Sequence, residues 1–227
     1  MKKKIISDIR LYKSEKKNEY GVYATEDFAD KKLNAIINRV AMKLRENEFS
    51  LGEFDHLYIN FTTCDIGEET FMSDKVDTYH PWYRYCLAHI EKDMYNKLGS
   101  LESYDYIIQQ VSNILVTYFS SQEFDEARIL SCIHTALEQG ENMLMKLKEK
   151  VTQKRRVVVY LRLLDTCKFH PLLRVYNMEN DLLFEKDLPE TITLDYIGDI
   201  QVNAKKVTIK PRKNTFSAQY VPLVFDY

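Results

Sequence analysis

Glycine is scarce in this chain: only 6 of its 227 residues are glycine, and no two of them lie closer than 15 positions apart. Phosphate-binding loops and dinucleotide-binding turns need two or more glycines within about six residues, because only a residue without Cβ lets the backbone approach a phosphate. The Gly-x-Ser-x-Gly turn that carries the nucleophile of many hydrolases is missing as well. The scarcity of glycine therefore excludes these classes of enzyme.

The chain also has few cysteines and no long apolar run. Its four cysteines lie at least 22 positions apart without a Cys-x-x-Cys pair, so they predict no disulfide framework. Residues 1–6 resemble the charged start of a signal peptide, but Ser7 and Asp8 follow where an apolar region would have to begin. The longest uncharged run, 106–122, contains glutamine and asparagine and is too polar to span a membrane. The sequence predicts a cytoplasmic protein with reduced thiols.

The first third of the chain has the pattern of two strands, a helix and a further strand. Residues 5–12 and 20–24 are rich in side chains that favour strands. From Asp27 onward apolar residues recur at helical spacing, and residues 55–61 then alternate between polar and apolar. The stripe of the predicted helix consists of Leu33, Ile36, Ile37, Val40, Ala41 and Leu44.

Helical spacing continues through the middle of the chain. The pattern predicts one helix from Pro81 to a stop at Gly99 and a second helix over 104–118. A third helix is expected to be capped by Ser120. It either continues past Gly140 or breaks there, because glycine is unfavourable inside a helix.

The last third returns to the two-residue period of strands. Strands, then helices, then further strands predict an α+β fold rather than a βαβ repeat, with an N-terminal ββαβ part and mostly antiparallel C-terminal strands. The predicted C-terminal strands cover 156–163, 172–176, 182–184, 192–196, 201–210 and 219–225.

No linker of low complexity interrupts the sequence. One domain over 1–227 is therefore the favoured organisation. Within that domain we expect at most three sub-lobes, a strand and helix part over 1–80, a helical part over 81–150 and a β part over 151–227.

Charge is strongly segregated along the chain although the formal net charge is only −2. Residues 46–80 carry nine acidic side chains and one basic, whereas residues 146–178 carry nine basic and two acidic. One interpretation is that such blocks compensate each other in the fold. The other is that residues 65–77, which we call the acidic segment, attract a cationic partner.

Tyrosine, tryptophan and arginine follow directly after the acidic segment. These residue types are enriched at the hot spots of protein interfaces, so we expect a partner-binding site here. Packing in the core is the alternative role for Trp82. The predicted site consists of Asp65, Glu68, Glu69, Asp74, Asp77, Tyr79, Trp82 and Arg84.

Cysteine and histidine lie close together in the sequence at three places. Thiolate and imidazole are zinc ligands, but the pairs have different spacings in different predicted elements, so we expect no metal site and no cofactor. The catalytic alternatives are a Cys167/His170 nucleophile and a His89/Asp93 pair one helical turn apart. The three pairs are Cys86 with His89, Cys132 with His134 and Cys167 with His170.

Two basic runs, 146–156 and 205–213, raise nucleic-acid binding as another alternative. A sequence pI near 6.2 and the lack of a recognisable nucleic-acid-binding module speak against it. We therefore expect no direct contact with nucleic acid.

Residues 54–64, Phe-Asp-His-Leu-Tyr-Ile-Asn-Phe-Thr-Thr-Cys, with the acidic segment and Trp-Tyr-Arg-Tyr at 82–85, resemble a family of bacterial polymorphic-toxin immunity proteins. Ile-Gly-Asp-Ile at 197–200 and Val-Thr-Ile-Lys at 207–210 fit the same pattern, and the likeness extends over about 20–217. The resemblance implies a cytoplasmic protein that binds and neutralises a cognate toxin by occlusion, without catalysis.

An acidic surface would cover the cleft of a basic nuclease, which is one kind of toxin that such a protein could neutralise. Two other functions stay open at the level of sequence. One is a small enzyme with a Cys/His or His/Asp site, and the other is an adaptor subunit of a larger assembly.

Overall fold

Helices and strands are mixed along the chain. The computed structural model, which describes residues 3–16 and 26–227, has about 29% helix and 30% strand and confirms the predicted α+β class. The chain divides into two compact units, Met1–Gly140 and Glu141–Tyr227. The expectation of one domain over 1–227 stays a prediction.

A five-stranded sheet forms the centre of the first unit. Its strands are β1 (Asp8–Lys13), β2 (Glu26–Asp27), β3 (His56–Thr62), β4 (Thr70–Met72) and β5 (Tyr83–His89), in the order β2-β1-β3-β5-β4. The strands β1, β3 and β5 run parallel, and the short outer strands β2 and β4 run antiparallel to their neighbours. The strands predicted over 5–12 and 55–61 are confirmed, while the one predicted over 20–24 lies outside the described residues.

The predicted amphipathic helix is confirmed as α1 (Lys31–Glu46). The Asp30 carboxylate caps it by accepting a hydrogen bond from the backbone N–H of Leu33 at 2.8 Å. Since α1 joins β1 to its parallel neighbour β3, the first unit contains one βαβ crossover. Leu57, Ile59 and Phe61 lie fully buried on one face of β3, as their alternation predicts.

The helix predicted from Pro81 to Gly99 is wrong. Residues 83–89 form strand β5, and the only helix in this stretch is the short α2 (Lys92–Lys97). Both faces of β5 carry buried side chains, so its apolar residues follow no clean two-residue alternation and imitate helical spacing. The predicted stop is confirmed: Gly99 has a φ of +89°, which favours glycine.

Two further helices complete the first unit, α3 (Tyr104–Phe119) and α4 (Glu126–Gln139). The first of them was predicted closely, but the cap predicted for the next, Ser120, is wrong. Asp125 caps α4 instead, accepting the backbone N–H of Arg128 at 2.9 Å. The helix ends at Gly140, whose φ of +51° takes the backbone out of the helical region, so it does not continue as the first alternative expected.

The second unit consists of two antiparallel sheets. One sheet has the order β6-β7-β8-β9 and the other β10-β11-β12. Buried side chains of both sheets form one core, with Val157, Val159 and Leu173 from the first and Val207 and Ile209 from the second. The strands are β6 (Met145–Val151), β7 (Arg156–Leu161), β8 (Leu172–Tyr176), β9 (Leu182–Asp187), β10 (Ile200–Val202), β11 (Lys206–Ile209) and β12 (Leu223–Asp226).

The predicted antiparallel C-terminal strands are confirmed with two corrections. Residues 192–196 form no strand: Ile192 is 74% exposed, and Tyr196 reaches the core from a turn. Residues 201–210 form a hairpin rather than one strand. The Asn203 side chain accepts the backbone N–H of Lys205 at 3.0 Å and stabilises the turn between β10 and β11.

Candidate functional site

The eight residues of the predicted site lie at opposite ends of the sheet in the first unit. Asp65, Glu68 and Glu69 belong to the loop over 63–69, which leaves the carboxyl end of β3. The chain then returns along β4, so the remaining five members lie toward the amino end of β5. A strand of seven residues such as β3 spans roughly 20 Å, which separates the two groups. We call them the β3–β4 loop (63–69) and the β4–β5 segment (73–82), with Arg84 just beyond the segment.

The β3–β4 loop presents carboxylates to solvent. The Asp65 carboxylate accepts the backbone N–H of Gly67 at 2.9 Å, and Gly67 takes a φ of +79°, so the turn itself is locally fixed. Asp65, Glu68 and Glu69 are exposed, and none of them forms an ion pair with a described residue. The nearby Lys92 ammonium pairs with Glu15 instead. Three negative charges of this loop are therefore available to a partner.

Asp77 anchors the β4–β5 segment to the sheet. Its carboxylate accepts the backbone N–H groups of Tyr79 at 2.9 Å and His80 at 2.8 Å, and the Tyr85 hydroxyl donates to it at 3.1 Å. Partial burial raises the pKa of Asp77, but these hydrogen bonds outweigh it and hold the pKa below its usual value. Burial, followed by the charge of Asp77, raises the pKa of Tyr85.

Aromatic rings stack behind this segment on one face of β3 and β5. The His80 and Tyr83 rings stack with centroids 4.6 Å apart, and the Tyr83 ring lies 4.5 Å from that of Tyr58. Tyr58 is only 1% exposed, and this burial raises the pKa of its phenol. Trp82 is half-buried at the edge of the cluster, 5.4 Å from the His80 ring, so packing accounts for part of its surface.

The ring cluster contains residues that the sequence interpretation missed. His56 and Tyr58 on β3 lie beside Tyr83 and Tyr85 on β5 through the parallel register His56↔Tyr83 and Tyr58↔Tyr85. Alternating aromatic residues in both strands were a visible signal. The sequence does not reveal the pairing, because the spacing of apolar residues predicts a helix over 83–89.

Some side chains of the β4–β5 segment are presented rather than packed. Tyr79 is 84% exposed and Val76 is 55% exposed, although Asp77 between them is firmly held. Arg84 belongs to the opposite face of the sheet, since the neighbouring Tyr83 and Tyr85 both belong to the ring cluster. Its guanidinium lies 4.8 Å from the centre of the Phe54 ring.

The His89/Asp93 catalytic alternative loses its structural basis. His89 ends strand β5, and its Nδ1 lies 3.0 Å from the carbonyl of Cys64, so His89 and Asp93 are not one turn apart on a helix. Burial raises the pKa of the Cys86 thiol to about 12, which leaves it protonated at neutral pH. Within residues 3–16 and 26–227, no group of three or more histidine, cysteine and acidic side chains could hold a metal ion.

The predicted basic run 146–156 lies on strands rather than at the end of a helix. Lys146 and Arg156 both pair with Glu149, at 3.2 and 3.3 Å. The Lys148 ammonium donates to the carbonyl of Gly198. Part of this positive charge is therefore used within the second unit.

None of the helices in the described part of the chain is both long and apolar enough to cross a membrane. Comparisons with protein-family models, with curated proteins and with solved structures find no match to this chain.

Proposed function

We propose that this chain is a non-catalytic immunity-type protein of bacterial competition, which acts in the cytoplasm. It binds a cognate protein toxin with a basic surface and neutralises it by occlusion. In this proposal the β3–β4 loop and the β4–β5 segment contact the toxin, and no cofactor takes part.

The observation that carries the proposal is the group of three exposed, unpaired carboxylates in the β3–β4 loop, Asp65, Glu68 and Glu69. Like charges that the fold does not neutralise lower its stability slightly, so these carboxylates do not serve the fold and favour a role in binding. Such a surface accelerates encounter with a cationic protein and disfavours other partners. A basic nuclease fits this charge.

The β4–β5 segment supports the proposal because its backbone is already ordered. The hydrogen bonds of Asp77 fix the backbone at Tyr79 and His80, so only the exposed side chain of Tyr79 has to be ordered on binding. The two patches are roughly 20 Å apart along the sheet. A standard interface of about 800 Å² per partner is wide enough to include both.

Co-expression with the toxin encoded beside this gene tests the proposal. We expect the wild-type chain to restore growth and to co-purify with that toxin as a complex. The variant Asp65→Lys/Glu68→Lys/Glu69→Lys should fold, melt near the wild-type temperature and fail to protect. A matched control, Glu102→Lys/Glu138→Lys/Glu179→Lys, makes the same charge change at exposed positions elsewhere and should still protect.

Failure of the wild-type chain to protect against any neighbouring toxin would contradict the proposal. Equal protection by the loop variant and by wild type would contradict the role of the loop. A stable homo-oligomer that binds no toxin would favour the adaptor alternative.

A further inference from the structure

The first unit contains a groove of about 550 Å³ beside the β4–β5 segment. Phe54, Met72, Tyr118 and Phe119 are half-buried and give it an apolar wall. The wall is firmly held at Tyr118, whose hydroxyl donates to the carbonyl of Thr70 at 2.7 Å. Arginine side chains also line the groove, so it combines apolar surface with positive charge.

Arg84 is the arginine of this groove whose hydrogen-bonding capacity is least used, since the Arg128 guanidinium donates to the carbonyls of Glu123 and Asn47. It is 21% exposed, and its only ion pair among the described residues is with Asp74 at 3.9 Å, a carboxylate that is itself fully exposed. Other arginines of the chain form closer ion pairs. Arg10 Nε lies 2.6 Å from Asp8 Oδ2, and Arg174 Nε lies 2.5 Å from Glu185 Oε2. A half-buried guanidinium with most of its donors unused indicates a site for an anion.

The side chains that line the groove carry one more positive than negative charge. Lys3 is paired with Glu123 at 2.6 Å, which leaves Arg84 and Arg128 as cations and Glu48 as an anion among the remaining groove residues. The exposed Glu48 carboxylate has no ion pair among the described residues and adds negative charge at the rim. Guanidinium and carboxylate also match in geometry, through two parallel hydrogen bonds.

We propose that this groove binds a carboxylate-bearing segment of the partner protein, with Arg84 on the carboxylate and the apolar wall on the adjoining side chain. The inference rests on the proposed function, and it deepens it by naming what the partner inserts. The groove adjoins the β4–β5 segment at both ends of the segment in the chain, since Met72 directly precedes it and Arg84 lies two residues after it. Protein segments supply both groups together, as a C-terminal aromatic or aliphatic residue does.

A small probe tests the groove independently of any toxin. N-acetylphenylalanine carries the carboxylate and the ring, and N-acetylphenylalanine amide has the same shape without the charge. In protein labelled with ¹³C at the methionine methyl groups, we expect the acid to shift the Met72 resonance with millimolar affinity. We expect the amide to leave it nearly unchanged.

Arg84→Gln should weaken binding of the acid by at least about tenfold, because it removes the charge-assisted pair. The affinity of Arg84→Lys for the acid should lie between those of wild type and Arg84→Gln. Lysine keeps the positive charge but cannot donate two parallel hydrogen bonds to one carboxylate. Arg212→Gln, an exposed arginine of the second unit, is the matched control and should bind like wild type. An unchanged methionine spectrum apart from Met72 shows that each variant is folded.

Three results would overturn the inference: no Met72 shift at tens of millimolar acid, equal shifts by acid and amide, or equal affinity of Arg84→Gln and wild type. Binding of the acid with toxin affinity unchanged in Arg84→Gln would also overturn it, because the partner would then not use the groove. Binding of the acid by a chain that protects against no toxin would contradict the proposed function and leave only a carboxylate site. The two failures are therefore distinguishable.

Discussion

The β3–β4 loop and the four-stranded sheet of the second unit treat acidic side chains in opposite ways. In the sheet, Glu149 bridges two cations, Arg174 holds Glu185 at 2.5 Å, and Arg162 holds Asp187. In the loop, Asp65, Glu68 and Glu69 have no such partner among the described residues. Both regions are acidic or mixed in sequence, so composition alone does not separate them.

The difference shows what charge segregation along a chain means. Charge that is neutralised by a neighbouring strand is used by the fold, and the compensating interpretation of the charge blocks holds for those residues of the second unit. Charge that projects from a locally fixed turn is available to another molecule. The same distinction applies to aromatic side chains, since Tyr58 is buried in the ring cluster and Tyr79 is presented to solvent.

The largest expected difference in the free energy of unfolding is between substitution of a buried tyrosine and substitution of an exposed one. Tyr58→Ala removes a ring that is 1% exposed, and we expect it to lower the free energy of unfolding by about 3–5 kcal/mol. Tyr79→Ala removes a ring that is 84% exposed and should change it by less than about 0.5 kcal/mol. Urea denaturation measures both. A loss above about 1 kcal/mol for Tyr79→Ala would show that the β4–β5 segment is part of the core.

Asp77→Ala should lower the free energy of unfolding by about 1 kcal/mol, because two backbone N–H groups and the Tyr85 hydroxyl lose their acceptor. Asp77→Asn keeps an acceptor oxygen and should lose less. Since the pKa of Asp77 is lowered in the folded state, its charge stabilises the fold above the unfolded pKa of about 4. This contribution of the Asp77 charge to stability is lost as the pH falls through the pKa of Asp77 in the folded state, which lies below the unfolded value.

Denaturation of Asp77→Ala and wild type from pH 7 down to pH 3 checks the sign. The difference in stability between them should shrink over the acidic part of this range. A difference that grows toward low pH would contradict the hydrogen bonding assigned to the carboxylate.

The smallest expected change in stability comes from neutralising one carboxylate in each of the two regions. Glu149→Gln breaks two partly exposed ion pairs, and we expect a loss of about 0.5 kcal/mol that fades in high salt. Glu68→Gln removes an unpaired charge beside Asp65 and Glu69 and should leave stability unchanged or slightly higher. Chemical denaturation at low and high salt measures both, and a comparable loss for Glu68→Gln would remove the contrast between the regions.

Local patterns of the sequence predicted much of the fold. The stripe of α1 and the α3 helix follow from periodicity, because each helix has one face toward a core. The β7 and β8 strands follow from their runs of branched apolar residues, which favour strands. The sequence of strand β5 predicts a helix because both of its faces carry buried residues and residues 83–89 contain no valine, isoleucine or threonine. Its parallel pairing with β3 depends on contacts between distant parts of the chain, which no local pattern contains.

The candidate site, too, could be predicted from the sequence only in part. The exposure of the loop carboxylates agrees with their sequence position between two strands. The separation of the loop from the β4–β5 segment depends on β4, a strand of only three residues that reverses the chain. The Arg84 groove depends on Phe54 and Tyr118, which are 64 residues apart, and therefore has no signature in sequence.

The most direct test of the central claim is the affinity of the purified toxin complex at low and at physiological ionic strength. With wild type, we predict binding that weakens as salt is added, since the loop carboxylates contribute to the association. With Asp65→Lys/Glu68→Lys/Glu69→Lys, we predict an affinity at least about tenfold lower at low salt and the loss of most of the salt dependence. Equal affinity and equal salt dependence for the two proteins would contradict the claim that this loop binds the toxin.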